Sequence, residues 1–225
     1  MSCRVQRTQE WSLRLIDEKS DWDNSIFVTL TYDDENIPDD GRIHKQELQK
    51  FLKRLRKSLA PRRIKYYATG EYGEKNGRPH YHLIIFNMAI TEKQIIEENW
   101  RKGLVYVGTV TINSCRYVAS YIQKKLYKHD KSKTEAEVAW GVLPSDHDLF
   151  SIQSQGLGKK WAERNESYLA QNQQITHRGV KHSVPRYYVK KLGLDLSKSQ
   201  DERRKKVDEE LRLVKNQNND IELFD

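Results

Sequence analysis

Apolar and polar residues recur with two different periods between residues 25 and 127, and these periods predict alternating strands and helices. Four segments are dominated by β-branched and aromatic residues, and we predict them as strands: residues 25–32, 64–72, 79–86 and 104–111. Three segments carry apolar residues three and four positions apart, and we predict them as helices: residues 44–59, 91–100 and 113–127. This order predicts an α+β fold, an antiparallel sheet that helices cover on one face and leave open on the other.

The segments on either side of this core carry weaker patterns. Residues 4–20 predict a basic helix that docks on the domain by one face, and Thr91 to Gln94 predict a capping box at the start of the helix that ends at Trp100. Residues 150–161 predict a short strand, a glycine turn and a helix start, and residues 173–189 a hairpin. The hairpin tip is expected at Arg178-Gly179, and Pro185-Arg-Tyr-Tyr188 is expected to mark a sheet edge. We therefore expect four parts: residues 1–24, a basic helix; 25–128, the core; 129–192, further strands and a helix that complete the domain; and 193–225, a charged helix and tail.

Composition narrows the class of protein. The chain has 225 residues, enough for one main domain with a core of its own, and 40 Lys and Arg against 32 Asp and Glu give a net charge of +8. This sign is typical of proteins that bind a polyanion such as nucleic acid. The two cysteines, Cys3 and Cys115, are far apart, which argues against a disulfide scaffold and favours a reducing cytoplasm. No apolar run is long enough to cross a membrane, and we expect no membrane partner.

The strand over residues 79–86 carries two histidines one residue apart, His80 and His82. Alternate side chains of a strand share a face, so both imidazoles can reach one cation. If residues 64–72 pair with this strand so that Glu71 faces His80 and Thr69 faces His82, the carboxylate of Glu71 joins the two rings as a third ligand. Glu74 is the competing carboxylate, and an exposed polar alternation is the alternative to a metal site.

The last core helix carries two tyrosines four residues apart, Tyr117 and Tyr121, which therefore lie on one helix face. A phenol has a pKa of about 10, so it attacks phosphorus at neutral pH only beside cations or a metal-polarised phosphate. Lys124 and Lys125, one turn beyond Tyr121, supply such cations. Tyrosines at this spacing also occur as core or base-stacking residues.

Three segments together resemble the ordered motifs of HUH endonucleases, which initiate rolling-circle replication. They are Phe27-Val-Thr-Leu-Thr-Tyr-Asp33, Pro79-His-Tyr-His-Leu83 and Tyr117-Val-Ala-Ser-Tyr121-Ile-Gln-Lys124. The two-tyrosine motif, with Ser-Gln-Gly-Leu-Gly158 further on, is most similar to the replication initiators of microviruses, the small single-stranded DNA phages.

This resemblance implies an RRM-like α+β nuclease in which Glu71, His80 and His82 hold Mg²⁺ or Mn²⁺ against the scissile phosphate. Tyr121 or Tyr117 would attack and form a 5′-phosphotyrosine, with Lys124 or Lys125 stabilising charge. We expect Arg78, Arg116 and Lys128 to contact DNA, together with the segment over residues 129–192. The substrate would be single-stranded DNA at a replication origin in the cytoplasm of a bacterial host, whose helicase and polymerase would act with the protein. Ser120 replaces a lysine that two-tyrosine relatives commonly carry.

Two other functions remain open at this stage. A relaxase or single-strand transposase would use the same chemistry with one active tyrosine. A non-catalytic nucleic-acid-binding domain would use the basic helices to bind phosphate and the tyrosines to stack bases, and it would be indifferent to chelators.

Overall fold

The structure, a computed structural model, describes residues 3–73, 77–124 and 150–197 of the chain. Its helices are α1 (Cys3–Lys19), α2 (Lys45–Ser58), α3 (Lys93–Trp100), α4 (Ile112–Lys124), α5 (Lys159–Arg164), α6 (Glu166–Asn172) and α7 (Arg186–Leu192). Its strands are β1 (Ser25–Thr31), β2 (Lys65–Tyr72), β3 (Pro79–Phe86), β4 (Val105–Thr109), β5 (Ser151–Gln153), β6 (Gln174–His177) and β7 (Val180–Ser183). The predicted order from β1 to α4 is confirmed.

A five-stranded sheet with the order β4-β1-β3-β2-β5 forms the centre of the fold, and each neighbouring pair is antiparallel. β3 lies in the middle because its apolar residues are buried on both faces of the sheet. The predicted α+β class with an antiparallel sheet is therefore confirmed.

Helices cover both faces of this sheet. On the first face, α2 and α3 pack their apolar sides, including Phe51 and Trp100, onto strand residues such as Leu83. On the second face, Leu15 of α1 and Val118 of α4 join the cluster of buried residues that contains Ile84 and Phe86. The prediction of an open second face is wrong, since the continuous apolar run at the end of β3 needs cover on both sides.

Two local predictions are also wrong. The helix expected to open with a capping box at Thr91 begins instead as a 3₁₀ turn over Ile90–Glu92, where the Ala89 N–H donates to the Glu92 carboxylate at 2.8 Å. Pro185 precedes α7 rather than marking a sheet edge. The fixed φ of proline is compatible with a helix start, where the missing N–H has no partner to lose.

The chain divides into two compact units, Met1–Trp161 and Ala162–Asp225. The second unit contains the predicted hairpin, β6 paired with β7, and its turn at Arg178 and Gly179 has φ of 50° and 76°. Glycine accepts this left-handed conformation without steric cost. Across residues 3–73, 77–124 and 150–197, no helix is long and apolar enough to cross a membrane.

A buried carboxylate fixes α1 to the first unit. The side chain of Glu18 is fully buried and lies 2.8 Å from the Lys65 ammonium of β2. It also accepts hydrogen bonds from the Trp22 indole at 2.8 Å and from the Gly158 backbone N–H at 2.7 Å. A buried charge is tolerated only when it is paired and hydrogen-bonded in this way.

We expect Glu18→Ala to lower the free energy of unfolding by about 3–5 kcal/mol, because the Lys65 ammonium and two N–H donors lose their partner. Urea denaturation measures this change. Glu97→Ala is the control: Glu97 is 47% exposed and pairs with Lys93 at 3.1 Å, so its loss should cost about 0.5 kcal/mol or less. Equal effects of the two substitutions would contradict this role for Glu18.

Candidate active site

Three neighbouring strands bring the predicted ligands to the second face of the sheet. In the β2–β3 pair, Glu71 lies opposite His80 and Thr69 opposite His82, which confirms the predicted register. In the β1–β3 pair, Thr29 lies opposite His82 and Thr31 opposite His80. Residues of one register pair share a face, so the histidines, the carboxylate and both β1 threonines face the same side.

Each histidine is held through its Nδ1 atom by a threonine of β1. The Thr29 hydroxyl and His82 Nδ1 are hydrogen-bonded at 2.9 Å, and the Thr31 hydroxyl and His80 Nδ1 at 3.0 Å. A hydroxyl can donate or accept, so the bond persists whichever ring nitrogen carries the proton. The bonds fix both rings and leave their Nε2 atoms for other partners.

The Glu71 carboxylate links one of these histidines to the tyrosine helix. Glu71 is 8% exposed, and its Oε1 atom accepts hydrogen bonds from His82 Nε2 and, at 2.6 Å, from the Tyr121 hydroxyl. Because an ionised carboxylate only accepts, His82 carries its proton on Nε2, and its Nδ1 accepts from Thr29. One carboxylate thus orients a candidate ligand and a candidate nucleophile together.

Within the described residues, the other histidine, His80, is hydrogen-bonded at Nδ1 only, whereas His82 is bonded at both ring nitrogens; the His80 ring is also electrically neutral. Burial and the neighbouring His82 lower the pKa of His80, so its imidazole is uncharged at neutral pH, the form that binds metals. Its Nε2 lies against Gly73, where a Cβ would approach the nitrogen to 2.7 Å. A side chain at position 73 would therefore displace the ring.

Glu71, His80 and His82 carry donor atoms of the types that bind divalent cations. In the structure, however, these three side chains do not surround one shared position. In the three described ranges, no group of three or more His, Cys, Asp or Glu side chains is arranged to hold a metal ion. Two imidazoles with threonine-bound Nδ1 atoms and one carboxylate are nevertheless a donor set typical of metal centres with open positions. Coordination would require His82 to carry its proton on Nδ1, where it can donate to Thr29, and Glu71 to exchange its hydrogen bond with His82 Nε2 for a bond to the cation.

Both tyrosines of α4 contact His82. The Tyr121 ring is stacked on the imidazole, with centroids 5.3 Å apart and planes 5° apart, and Tyr117 meets it edge-on at 5.5 Å. The two tyrosine rings are 5.0 Å apart. Tyr121 is 4% exposed, whereas Tyr117 is 44% exposed. Helical spacing and the packing of α4 on the sheet thus place two phenols beside the histidine strand.

Burial raises the pKa of Tyr121 above its ordinary value, and the hydrogen bonds to Glu71 and Tyr117 raise it further. In this arrangement the phenol is held protonated and aimed at the carboxylate. Attack by Tyr121 would therefore need added positive charge near its oxygen.

Some of the other predicted site residues lie in the part of the chain that the structure describes, and some do not. Arg78 donates to the Tyr32 carbonyl at 2.8 Å and pairs with Asp34, which fixes the start of β3 beside the end of β1. Arg116 is exposed on α4. Four predictions concern groups outside the described residues and side chains: Glu74, Lys124, Lys125 and Lys128.

Sequence reasoning missed the roles of Thr29 and Thr31 as partners of the histidines. The available signal was their alternation along a strand, Thr29-Leu30-Thr31, which repeats the spacing of His80 and His82. The identity of the neighbouring strand decides which residues face the rings, and strand order is not encoded in local periodicity.

Comparison with known proteins shows which proteins the chain resembles in sequence. Residues 25–126 match the family of the replication-associated protein ORF2. The chain is 33% identical to replication-associated protein VP4 of Bdellovibrio phage phiMH2K, over 83% of this chain and 63% of that protein. It is 31% identical to replication-associated protein ORF2 of Spiroplasma virus 4, over 85% of this chain and 65% of the relative.

The chain is thus similar to phage replication-associated proteins over most of its own length. A third such protein, ORF4 of Chlamydia phage 1, is 26% identical over 83% of this chain and 50% of its own length. The chain thus spans less than two thirds of the length of these relatives. The resemblance to phage replication proteins that the three motifs indicate is confirmed. No solved structure matches the chain significantly.

The raised pKa of Tyr121 predicts that this phenol stays protonated where an ordinary tyrosine ionises, near pH 10. Phenolate absorbance of wild type and Tyr121→Phe should therefore coincide through about pH 10 and separate only above it. Because the native pKa lies above the unfolded value, this tyrosine should also lower native stability as pH rises beyond about 10. Loss of one phenol's absorbance near pH 10 in the variant would contradict the assignment.

Proposed function

We propose that this chain is a rolling-circle replication initiator that nicks single-stranded DNA through a tyrosine and later rejoins it. The observation that carries the proposal is the convergence on His82 of both α4 tyrosines, with the Tyr121 hydroxyl bonded to the carboxylate that also binds this histidine. Nucleophile, imidazole and carboxylate lie within one small region of the second sheet face. The relationship to phage replication-associated proteins supports the biological role.

In the proposed nick, the Tyr121 oxygen attacks the scissile phosphorus in line with the departing 3′-oxygen. The O–P bond to tyrosine forms, the bond from phosphorus to the 3′-oxygen breaks, and the 3′-oxygen gains the proton that the phenol loses. The products are a 5′-phosphotyrosine and a free 3′-hydroxyl that can prime synthesis. The phosphodiester is exchanged rather than hydrolysed, so its energy is retained for rejoining.

Glu71, His80 and His82 would hold a divalent cation, Mg²⁺ or Mn²⁺, at this site. The ion would neutralise charge on the scissile phosphate and polarise it for attack. Glu71 and His82 are already adjacent, and the threonine bonds hold both imidazoles through their Nδ1 atoms. His80 contributes a neutral ring, since its pKa is lowered.

Tyr117 would serve the second transfer. It lies 5.0 Å from Tyr121, ring to ring, and is the more exposed of the two phenols. After one round of synthesis it could cut the regenerated origin, while the released 3′-hydroxyl attacks the phosphotyrosine at Tyr121 and closes a circle. The contacts that both tyrosines make with His82 favour this alternating use over a relaxase or transposase with one active tyrosine.

The proposed substrate is single-stranded DNA at a replication origin in the cytoplasm of a bacterial host. Host helicase and polymerase would unwind and copy the strand. The net charge of +8 suits a polyanionic substrate.

The nick predicts a covalent adduct between the protein and the 5′-phosphate of the downstream DNA fragment. Labelled origin strands incubated with Mn²⁺ and resolved on denaturing gels should show the adduct with wild type. They should show it reduced with Tyr121→Phe, and absent with the Tyr117→Phe/Tyr121→Phe double variant or with chelator. Tyr117→Phe should still nick but should fail to close circles, because the second nucleophile is missing.

The controls separate chemistry from binding. His82→Ala should lose the adduct while its affinity for the same strand falls far less, because phosphate contacts elsewhere supply most non-specific affinity. Equal loss of cleavage and binding, or an adduct that persists in the double variant, would contradict the proposal. Binding without any adduct on authentic origin strands would favour the non-catalytic binding domain.

The threonine bonds predict a change in metal affinity that does not depend on nuclease activity. Thr29→Val removes the hydroxyl at Nδ1 of His82 and should weaken Mn²⁺ binding about 10-fold or more, as loss of an outer hydrogen-bond partner does in metal centres. Thr29→Ser keeps the hydroxyl and should bind as wild type. Calorimetric titration with Mn²⁺ measures both.

Thr109→Val is the matched control, because Thr109 is an exposed β4 residue paired with Ile26. It should leave Mn²⁺ affinity unchanged. If Thr29→Val also leaves the affinity unchanged, the threonine does not orient a metal ligand.

A further inference from the structure

An aromatic groove lies beside the candidate active site and shares part of its lining with that site. It runs between β1, β4 and the first turns of α4, and its volume is about 480 Å³. Besides the His82 imidazole, three phenyl or phenol rings contribute to its lining: Phe27, Tyr106 and Tyr117. The volume falls within the roughly 300–1,000 Å³ typical of small-molecule sites.

Two of the three rings are exposed to solvent. Tyr106 is 63% exposed and Tyr117 is 44% exposed. Both meet the Phe27 ring edge-on, with centroids 6.5 Å and 6.2 Å from it and interplanar angles of 66° and 67°. The groove therefore combines a phenylalanine ring with two exposed phenol rings, each of which offers a π surface for stacking.

Gly108 on β4 leaves room for the Tyr106 ring. Gly108 lies opposite Phe27 in the β1–β4 pair, and a Cβ there would lie 3.2 Å from the Tyr106 hydroxyl and 3.3 Å from its ring. The Tyr106 ring thus lies close over the backbone at Gly108. A Cβ at position 108 would press on the Tyr106 ring, which would have to shift by a few tenths of an ångström.

The groove is continuous with the candidate site. His82 and Thr29 line it together with Tyr117, so whatever occupies it lies directly beside the histidine and one of the two tyrosines. Asn113 and Ser114, at the start of α4, add amide and hydroxyl groups to the lining. Such groups can hydrogen-bond the edge of a base, whereas the rings can stack on its face.

We propose that this groove binds one unpaired nucleobase of the single DNA strand, next to the phosphate that the tyrosine attacks. This inference rests on the proposed function for the position of the phosphate, and on the exposed rings for the base. An unpaired base offers both faces and its hydrogen-bonding edge, which a base stacked within a duplex does not. Stacking in the groove would hold the strand in register beside the nucleophile.

The test compares two strands of equal length and charge: oligothymidylate of about 20 nucleotides and an abasic strand with the same phosphates. Tyr106→Leu keeps an apolar side chain but removes the ring, and it should bind oligothymidylate roughly 5- to 150-fold more weakly, as expected for loss of one stacking partner. It should bind the abasic strand as wild type does. Tyr106→Phe keeps the ring and should bind both strands as wild type does.

Two further variants complete the design. Gly108→Ala should weaken binding to oligothymidylate less than Tyr106→Leu does, and leave binding to the abasic strand unchanged, because the new methyl group shifts the Tyr106 ring by only a few tenths of an ångström. Tyr168→Leu changes another exposed tyrosine, in the second unit, and should leave both affinities unchanged. Fluorescence anisotropy measures all of these affinities.

The adduct assay and the binding assay together distinguish failure of the base-binding groove from failure of the proposed nuclease. If wild type forms the covalent adduct but Tyr106→Leu binds oligothymidylate like wild type, or loses equal affinity for both strands, the base-binding groove is wrong and the nuclease stands. If no adduct forms but the base-dependent loss is found, the groove is supported and the nuclease is wrong.

Discussion

The carboxylate of Glu71, buried between His82 and Tyr121, is the contact on which the candidate site depends. A carboxylate with so little exposure is stable only with hydrogen-bond partners, and here those partners are an imidazole from β3 and a phenol from α4. In the proposed function, the same three groups take part in a metal-assisted phosphoryl transfer. In the structure the Glu71 carboxylate accepts hydrogen bonds from the phenol and the imidazole. A cation would compete with these two donors for the carboxylate.

This contact constrains the fold around it. It needs the β2–β3 register that places Glu71 opposite His80, since a shift of one residue would turn the carboxylate to the first face. It also needs α4 to lie over the sheet, which α1 and the second apolar cluster secure. The buried Glu18 network then fixes α1 through Lys65 of β2 and Gly158. Residues far from the histidines thereby position the tyrosines.

Much of this arrangement could be predicted from sequence. Alternation placed His80 and His82 on one face of a strand, helical spacing placed Tyr117 and Tyr121 on one face of a helix, and the hairpin between β2 and β3 fixed the position of Glu71. The open second face was a wrong prediction, because the pattern of α1 predicts that this helix docks on the domain but does not reveal which face of the sheet it covers. The threonine partners and the aromatic groove were missed for a related reason. Both arise from β1 lying between β3 and β4, and periodicity gives no information on that order.

The central claim is that Glu71, His80 and His82 form a divalent-cation site beside Tyr121. The most direct measurement is crystallographic location of Mn²⁺ by its anomalous scattering in protein grown with the metal. We expect one manganese peak bound by the carboxylate and both Nε2 atoms, with the Glu71–His82 hydrogen bond replaced. A well-ordered site with no manganese, or manganese bound away from these three side chains, would contradict it.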